Sequence, residues 1–181
     1  MRVVTVGFAA PGTSGRNRHG QVAASLKTTG TYSLVRHPLY LGNYLMWLGV
    51  AAFPRVWWLP VLGSLAFWLY YERIMFAEEE FLRRKFGSAF TSWAASTPAI
   101  IPRRLRWQQP PRAFSLRNVL QREYSGLFAL VSSLSLLELA GDFAYTGKLT
   151  IDLVWGAAFV ATALLCTVLR ALKHRAPGSS A

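Results

Sequence analysis

Residues 39–71 read LYLGNYLMWLGVAAFPRVWWLPVLGSLAFWLYY, and Arg55 is the one charge in the stretch. Pro54 and Arg55 divide it into two apolar segments, Leu39–Phe53 and Val56–Tyr71. A helix on the surface of a water-soluble domain carries a charged or polar face; neither segment holds a charge. Both fall short of the roughly 20 residues of a bilayer crossing. They reach that length by extending into their flanks, with Trp57 and Trp58 as anchors at the interface. A two-residue break between apolar helices implies a tight antiparallel hairpin. A second pair follows at Tyr124–Ala140, which holds one acid (Glu138), and Leu153–Leu169, which holds no charge. The polar stretch Gly141–Asp152 joins them. The expected fold is an all-α integral membrane protein, with about four transmembrane helices in two hairpins and a cytosolic helical and loop segment between them.

Composition agrees. Of the 181 residues 52% are hydrophobic and 15% charged, against about 25% charged in an ordinary soluble domain. The formal net charge is +12, an excess that suits nucleic acid, an anionic surface or the loops of a membrane protein. Distribution separates these. Residues 1–38, 72–123 and 170–181 hold 18 of the 20 Lys and Arg, while 54–55 and 141–152 hold one each. By the positive-inside rule the chain is multi-pass with both termini cytoplasmic, and the charge needs no nucleic acid to explain it. The lone Cys166 forms no internal disulfide, His19, His37 and His174 lie far apart, and no metal-ligand cluster or cleavable signal peptide is visible.

Glu72–Phe86 has helix-forming composition and continues the second crossing into the cytosol, until Gly87 ends or bends it. Pro98, Pro102, Pro110 and Pro111 break any further long helix. This divides the chain into a core (1–103), a basic cytosolic connection (104–123) and a C-terminal hairpin with its tail (124–181). Val3–Ala10 resembles the end of a hydrophobic helix, as though membrane segments preceded it; Pro177–Ala181 reads as disordered.

Two stretches carry candidate chemistry: TGTYSLVRHPLYLGNYLMWLG at 29–49 and ERIMFAEEEFLRRKFGSAFTSWAASTPAIIP at 72–102. Pro38 suits the first turn of a helix, which puts Arg36 and His37 where the chain meets the membrane. Tyr40 and Asn43, three residues apart, share a helix face. Gly42 permits close approach of a ligand or of another helix. Arg36 offers a planar fork for an anionic group, or serves as an interfacial anchor with Tyr40 beside it. Glu78, Glu79 and Glu80 offer carboxylates near the membrane boundary, where they would favour a cationic ligand; Glu72, one heptad before Glu79, can share its face. The alternative is a solvated helix in which Glu79 supports Arg83 at i,i+4.

Together the ordered pieces, Gly-x-Tyr, Arg-His-Pro, Tyr-x-Gly, a paired acid, Phe-Gly and a final Ile-Pro, resemble the isoprenylcysteine carboxyl methyltransferase and phospholipid methyltransferase family of membrane enzymes. The resemblance covers about residues 29–102. It implies S-adenosylmethionine as cofactor, with His37, Tyr40, Gly42, Asn43, Glu78 and Glu79 contacting it. It implies Arg36 and His37 as the catalytic candidates and a lipid-like acceptor bearing a carboxylate, phosphate or amine. Arg16, Asn17 and Gln21, just upstream, read as headgroup contacts or as a solvated loop. The family's tyrosines three and six residues after Phe-Gly are Phe90 and Trp93 here, which removes any hydroxyl role. No Gly-x-Gly-x-x-Gly or Walker loop is present, so a cofactor would lie between membrane helices and the cytosolic segment. Two other readings stand beside this one. They are an NADPH-dependent membrane reductase of related architecture and a non-enzymatic membrane protein holding anionic lipid. Oligomeric state stays open.

Overall fold

The computed structural model describes residues 1–9, 23, 25–103 and 106–175. Arg16, Asn17, Gln21 and the tail Pro177–Ala181 lie outside the described residues. The described chain is all-helical, with six α-helices and no strand: α1 (Arg2–Gly7), α2 (Pro38–Ala52), α3 (Trp58–Phe86), α4 (Ser88–Ser96), α5 (Leu116–Thr146) and α6 (Leu153–Arg175). A single 3-10 turn, Thr31–Ser33, precedes α2.

Local chemistry accounts for the helix ends. Pro38 opens α2, and Pro54 with Arg55, at a φ of 59°, turns the chain into α3. No break occurs at Glu72, so α3 runs for 29 residues. Gly87 stops it at a φ of 53°, where an L side chain is strained, and α4 leaves in a new direction. Ser115 caps α5 by accepting the Asn118 N–H at 3.3 Å. α5 therefore starts eight residues before Tyr124. Arg117, Arg122 and Glu123 make those first turns polar, which hid them from a reading by apolar runs.

The helices form two hairpins, α2 with α3 and α5 with α6, as the sequence implies. Sufficient length and apolarity for a crossing is a narrower property. It holds for α5 and for Leu153–Lys173 of α6. Of the four expected crossings, two are helices that meet this standard among the described residues. α2, at 15 residues, spans about 22 Å at 1.5 Å per residue, short of a hydrocarbon core about 30 Å thick. The apolar half of α3 stops at Glu72 and is rich in Trp and Tyr. Both nevertheless present large apolar side chains outward, among them Leu45, Trp47, Leu62, Leu65 and Leu69, more than a soluble surface tolerates.

The Phe53 ring packs on Trp155 at 5.4 Å. This places the Pro54–Arg55 turn and the start of α6 at one end of the molecule. The two connections poor in Lys and Arg thus share an end. At the other end α1 packs between α2 and α5. Arg2 pairs with Glu123 through Nε–Oε2 at 2.8 Å and Nη2–Oε1 at 2.9 Å. The Gly7 carbonyl accepts the Ser115 N–H at 2.9 Å, and the Thr5 and Thr31 hydroxyls meet at 2.8 Å.

Candidate functional site

The segment carrying Arg36 and His37 lies just before α2 and is held from the side. α4 ends at Ser96, and the extended backbone of Thr97 carries the chain alongside it. The Pro98 carbonyl accepts the Arg36 N–H at 2.9 Å, and the Ala99 carbonyl the His37 N–H at 3.0 Å. Val35 and Pro38 on either side are fully buried, as is Phe90. With the backbone fixed there, the antiparallel α2–α3 hairpin brings residues 78 and 79 opposite the start of α2.

One carboxylate oxygen organises the cluster. Glu79 Oε1 lies 2.8 Å from His37 Nε2 and 2.9 Å from Arg36 Nε. The arginine contact is an ion pair without hydrogen-bond alignment. Arg36 also donates through Nη1 to the Ala94 carbonyl at 2.9 Å. Tyr40 donates to Glu78 Oε2 at 2.9 Å, and His37 Nδ1 is 3.8 Å from the same oxygen. The His37 and Tyr40 rings stack at 5.5 Å. His37 is 5% exposed. Its hydrogen bond, aided by the Arg36 charge, holds the Glu79 carboxyl below the usual glutamate range, although burial opposes this. Burial and the nearby Glu78 carboxylate push the Tyr32 phenol up to about 12, so it stays protonated at neutral pH.

The remaining candidates separate into two groups. Gly42 and Asn43 face α1. A Cβ on Gly42 would lie 2.5 Å from Arg2 Cγ and 3.0 Å from its backbone nitrogen, so the close approach here is made by a helix. Arg2 Nη1 donates to Asn43 Oδ1, and Asn43 Nδ2 donates to the Tyr71 hydroxyl at 3.4 Å. Glu72 and Glu80 stand apart from the cluster. Glu72 is exposed, and Glu80 pairs with Arg84 at 2.8 Å along its own helix. That i,i+4 arrangement is the solvated support considered above for Glu79, which pairs across the hairpin instead. Phe90 and Trp93 pack together at 5.9 Å. The Trp93 Nε1 is buried without a partner among the described residues.

Four contributors were not named as site residues from the sequence: Tyr32, Tyr71, Arg2 and the Pro98–Ala99 carbonyls. Tyr32 alone had a signal, as the aromatic of Gly-x-Tyr. Tyr71 packs edge-on against Tyr40 at 5.2 Å and stacks on Phe67 at 4.0 Å. It also lines a cavity of about 580 Å³ between α2 and α3, with Tyr44, Leu48, Leu62, Phe67 and Tyr70. That volume is in the range of small-molecule sites. The apolar cavity and the charged cluster thus meet at Tyr71. Among the described residues no group of three His, Cys, Asp or Glu forms a metal site.

Residues 10–89 match the phospholipid methyltransferase family. The similarity to that family is confined to this stretch, less than half of the chain. Three curated relatives are similar to it. The nickel-cobalt-cadmium resistance protein NccN of Alcaligenes xylosoxydans xylosoxydans is 38% identical over 46% of this chain and 39% of its own length. The cobalt-zinc-cadmium resistance protein CzcN of Cupriavidus metallidurans is 39% identical over 46% and 38%. The protein-S-isoprenylcysteine O-methyltransferase of Schizosaccharomyces pombe is 31% identical over 42% and 33%. The chain therefore spans at most 39% of the length of these relatives. No solved structure matches it. The family stretch ends at residue 89, so the Pro98–Ala99 clamp and the α5–α6 hairpin lie beyond it.

Proposed function

We propose that the chain transfers the methyl group of S-adenosylmethionine to a lipid-like acceptor, at the end of the α2–α3 hairpin where the charged cluster meets the apolar cavity. The observation that carries this reading is that juncture at Tyr71. It offers a cation- and hydroxyl-binding set on one side and room for a hydrocarbon chain on the other. The family, and the name of the fission-yeast relative, supply the reaction class.

The residues present fit the cofactor. Glu78 Oε1 and Glu79 Oε2 have no partner among the described residues, which leaves carboxylate oxygens for an ammonium or ribose hydroxyls. Paired anionic groups also suit a sulfonium. When bound, S-adenosylmethionine supplies an electrophilic methyl with its leaving group already attached. The protein's part is alignment and exclusion of water. Arg36 keeps Nη2 free among the described residues, which suits an acidic acceptor. His37, bonded to Glu79, holds that carboxylate in place. A carboxylate or phosphate acceptor is already nucleophilic and needs no general base; an amine must arrive unprotonated.

The purified chain should move labelled methyl from S-adenosylmethionine into a total lipid extract, with the product identified by mass spectrometry. Absence of transfer, with binding of NADPH instead, favours the reductase reading. Absence of both favours a non-enzymatic lipid-binding role.

The same proposal places the chain across the membrane with the cluster facing the cytosol, because the Lys- and Arg-poor connections share the opposite end. Tags at both termini should report the cytoplasm, and a tag after Gly147 the other side. One shared location for all three tags sinks this topology.

A further inference from the structure

Between the clamp at Pro98–Ala99 and the start of α5 runs a strap of chain, described at residues 101–103 and 106–117, outside the family match. Arg103, Arg106, Arg112 and Arg117 on it are exposed. None has an ion pair or hydrogen bond among the described residues. Exposed apolar side chains alternate with them: Ile101 is 78% exposed, Trp107 44% and Phe114 46%. We propose that this strap is a docking surface for the anionic phospholipid headgroups of the leaflet on the site's side, and that docking braces the site. The proposal rests on the membrane placement given above.

Three observations favour a lipid surface. Aromatic and aliphatic groups interleaved with arginine suit an interface, where rings sit at headgroup level and guanidinium forks engage phosphates. A soluble polyanion would leave Ile101 in water. The strap also leads straight into α5, whose 31 residues measure about 46 Å. A bilayer with its headgroups is about 40–45 Å thick, so α5 crossing the bilayer puts Leu116 and the strap at headgroup depth. Finally, the basic groups are all arginine, the better phosphate ligand where bidentate contact counts.

The strap is bonded to the segment that carries the site. The Gln108 carbonyl accepts the Gly30 N–H at 2.8 Å, and Ser33 Oγ accepts the Gln108 N–H at 3.1 Å. Upstream, Pro98 and Ala99 hold Arg36 and His37. Packing of Phe8 against Trp107 at 6.2 Å and Phe114 at 5.4 Å ties the strap to the N-terminal segment. Headgroups that immobilise the strap therefore restrain both ends of residues 30–37.

The full chain is reconstituted in bilayer discs of phosphatidylcholine with and without phosphatidylglycerol, and two quantities are read. The first is the headgroup composition of lipid that stays with the chain after extraction. The second is the methyl-transfer rate. The parent should retain phosphatidylglycerol above its share of the supplied lipid. That excess should fall about fivefold for each strap arginine removed in Arg106→Gln/Arg112→Gln. A matched charge loss at the end of α6, Arg170→Gln/Lys173→Gln, should leave the excess intact. Phosphatidylglycerol should raise the parent's rate and leave the strap variant's rate unchanged. Equal loss of enrichment in the two double variants overturns the strap as the surface. So does retention by heparin in place of phosphatidylglycerol, with the same arginine dependence. Enrichment with identical rates in both lipids overturns the bracing. If the parent transfers no methyl in any lipid, the enzymatic reading falls, and headgroup retention still decides the docking.

Discussion

Glu79→Gln should weaken S-adenosylmethionine binding by about 10- to 100-fold, since a hydrogen bond to a charged group contributes about 1.5–3 kcal/mol. The substitution keeps size and removes the charge that both His37 and Arg36 address through one oxygen. It also leaves the Arg36 guanidinium, half-buried beside α4, without its anion, and breaking such a pair destabilises more than forming it stabilised. Calorimetry on purified protein reads the first effect and thermal unfolding the second. The two separate by pH. Glu79 is held below the ordinary glutamate value of 4.5. The stabilisation this represents is fully present above about pH 4.5, where the unfolded carboxyl is also ionised. It is lost as pH falls through the lower, folded value. The parent's unfolding midpoint should therefore drop more steeply than the variant's on acidification below pH 4.5. Unchanged cofactor affinity in Glu79→Gln would remove the carboxylate from the binding site and leave it a purely structural partner of His37.

Arg36→Lys should lower methyl transfer by about two orders of magnitude while expression and topology persist. The guanidinium meets Glu79 through Nε and the Ala94 carbonyl through Nη1 at once, with Nη2 left over. A lysine ammonium satisfies the positive-inside preference equally well. As a point charge on a flexible stem, however, it cannot span the two fixed partners and still present a donor to an acceptor. An effect of about 2.7 kcal/mol is what that fall in rate represents. His37→Ala should also depress turnover, by freeing Glu79 and removing the ring stacked on Tyr40. His37→Asn should retain part of it, if one hydrogen bond to Glu79 is the ring's contribution. Turnover against purified lipid acceptor measures all three. Full activity in both Arg36→Lys and His37→Ala would exclude this turn from the site and leave the acidic helix as its remaining basis.

Periodicity, punctuation and charge determine much of this chain's local structure. Apolar runs broken at Pro54–Arg55 and Gly141–Asp152 determine two helical hairpins, because each break is short and lies between two runs long enough to be helices. Pro38 determines where α2 begins and Gly87 where α3 ends, through fixed φ in one case and access to positive φ in the other. The separation of basic residues determines which connections belong together, since charge segregates at a membrane. Composition along one chain also shows which residue types stand near the boundary.

Tertiary structure alone decided which of them meet. Glu78, Glu79 and Glu80 are chemically identical and adjacent. Successive residues on a helix point about 100° apart, and only packing of α3 on α2 sets which two face Arg36, His37 and Tyr40. The helix-packing role of Gly42 depends on Arg2, forty residues away, and Arg2 depends on Glu123 in a helix whose polar first turns carry no apolar period. The Pro98 and Ala99 carbonyls are backbone groups, available at every residue, so no side-chain pattern marks them as the clamp on residues 36 and 37. These contacts are long-range and individually nonspecific, so no local pattern of residues announces them.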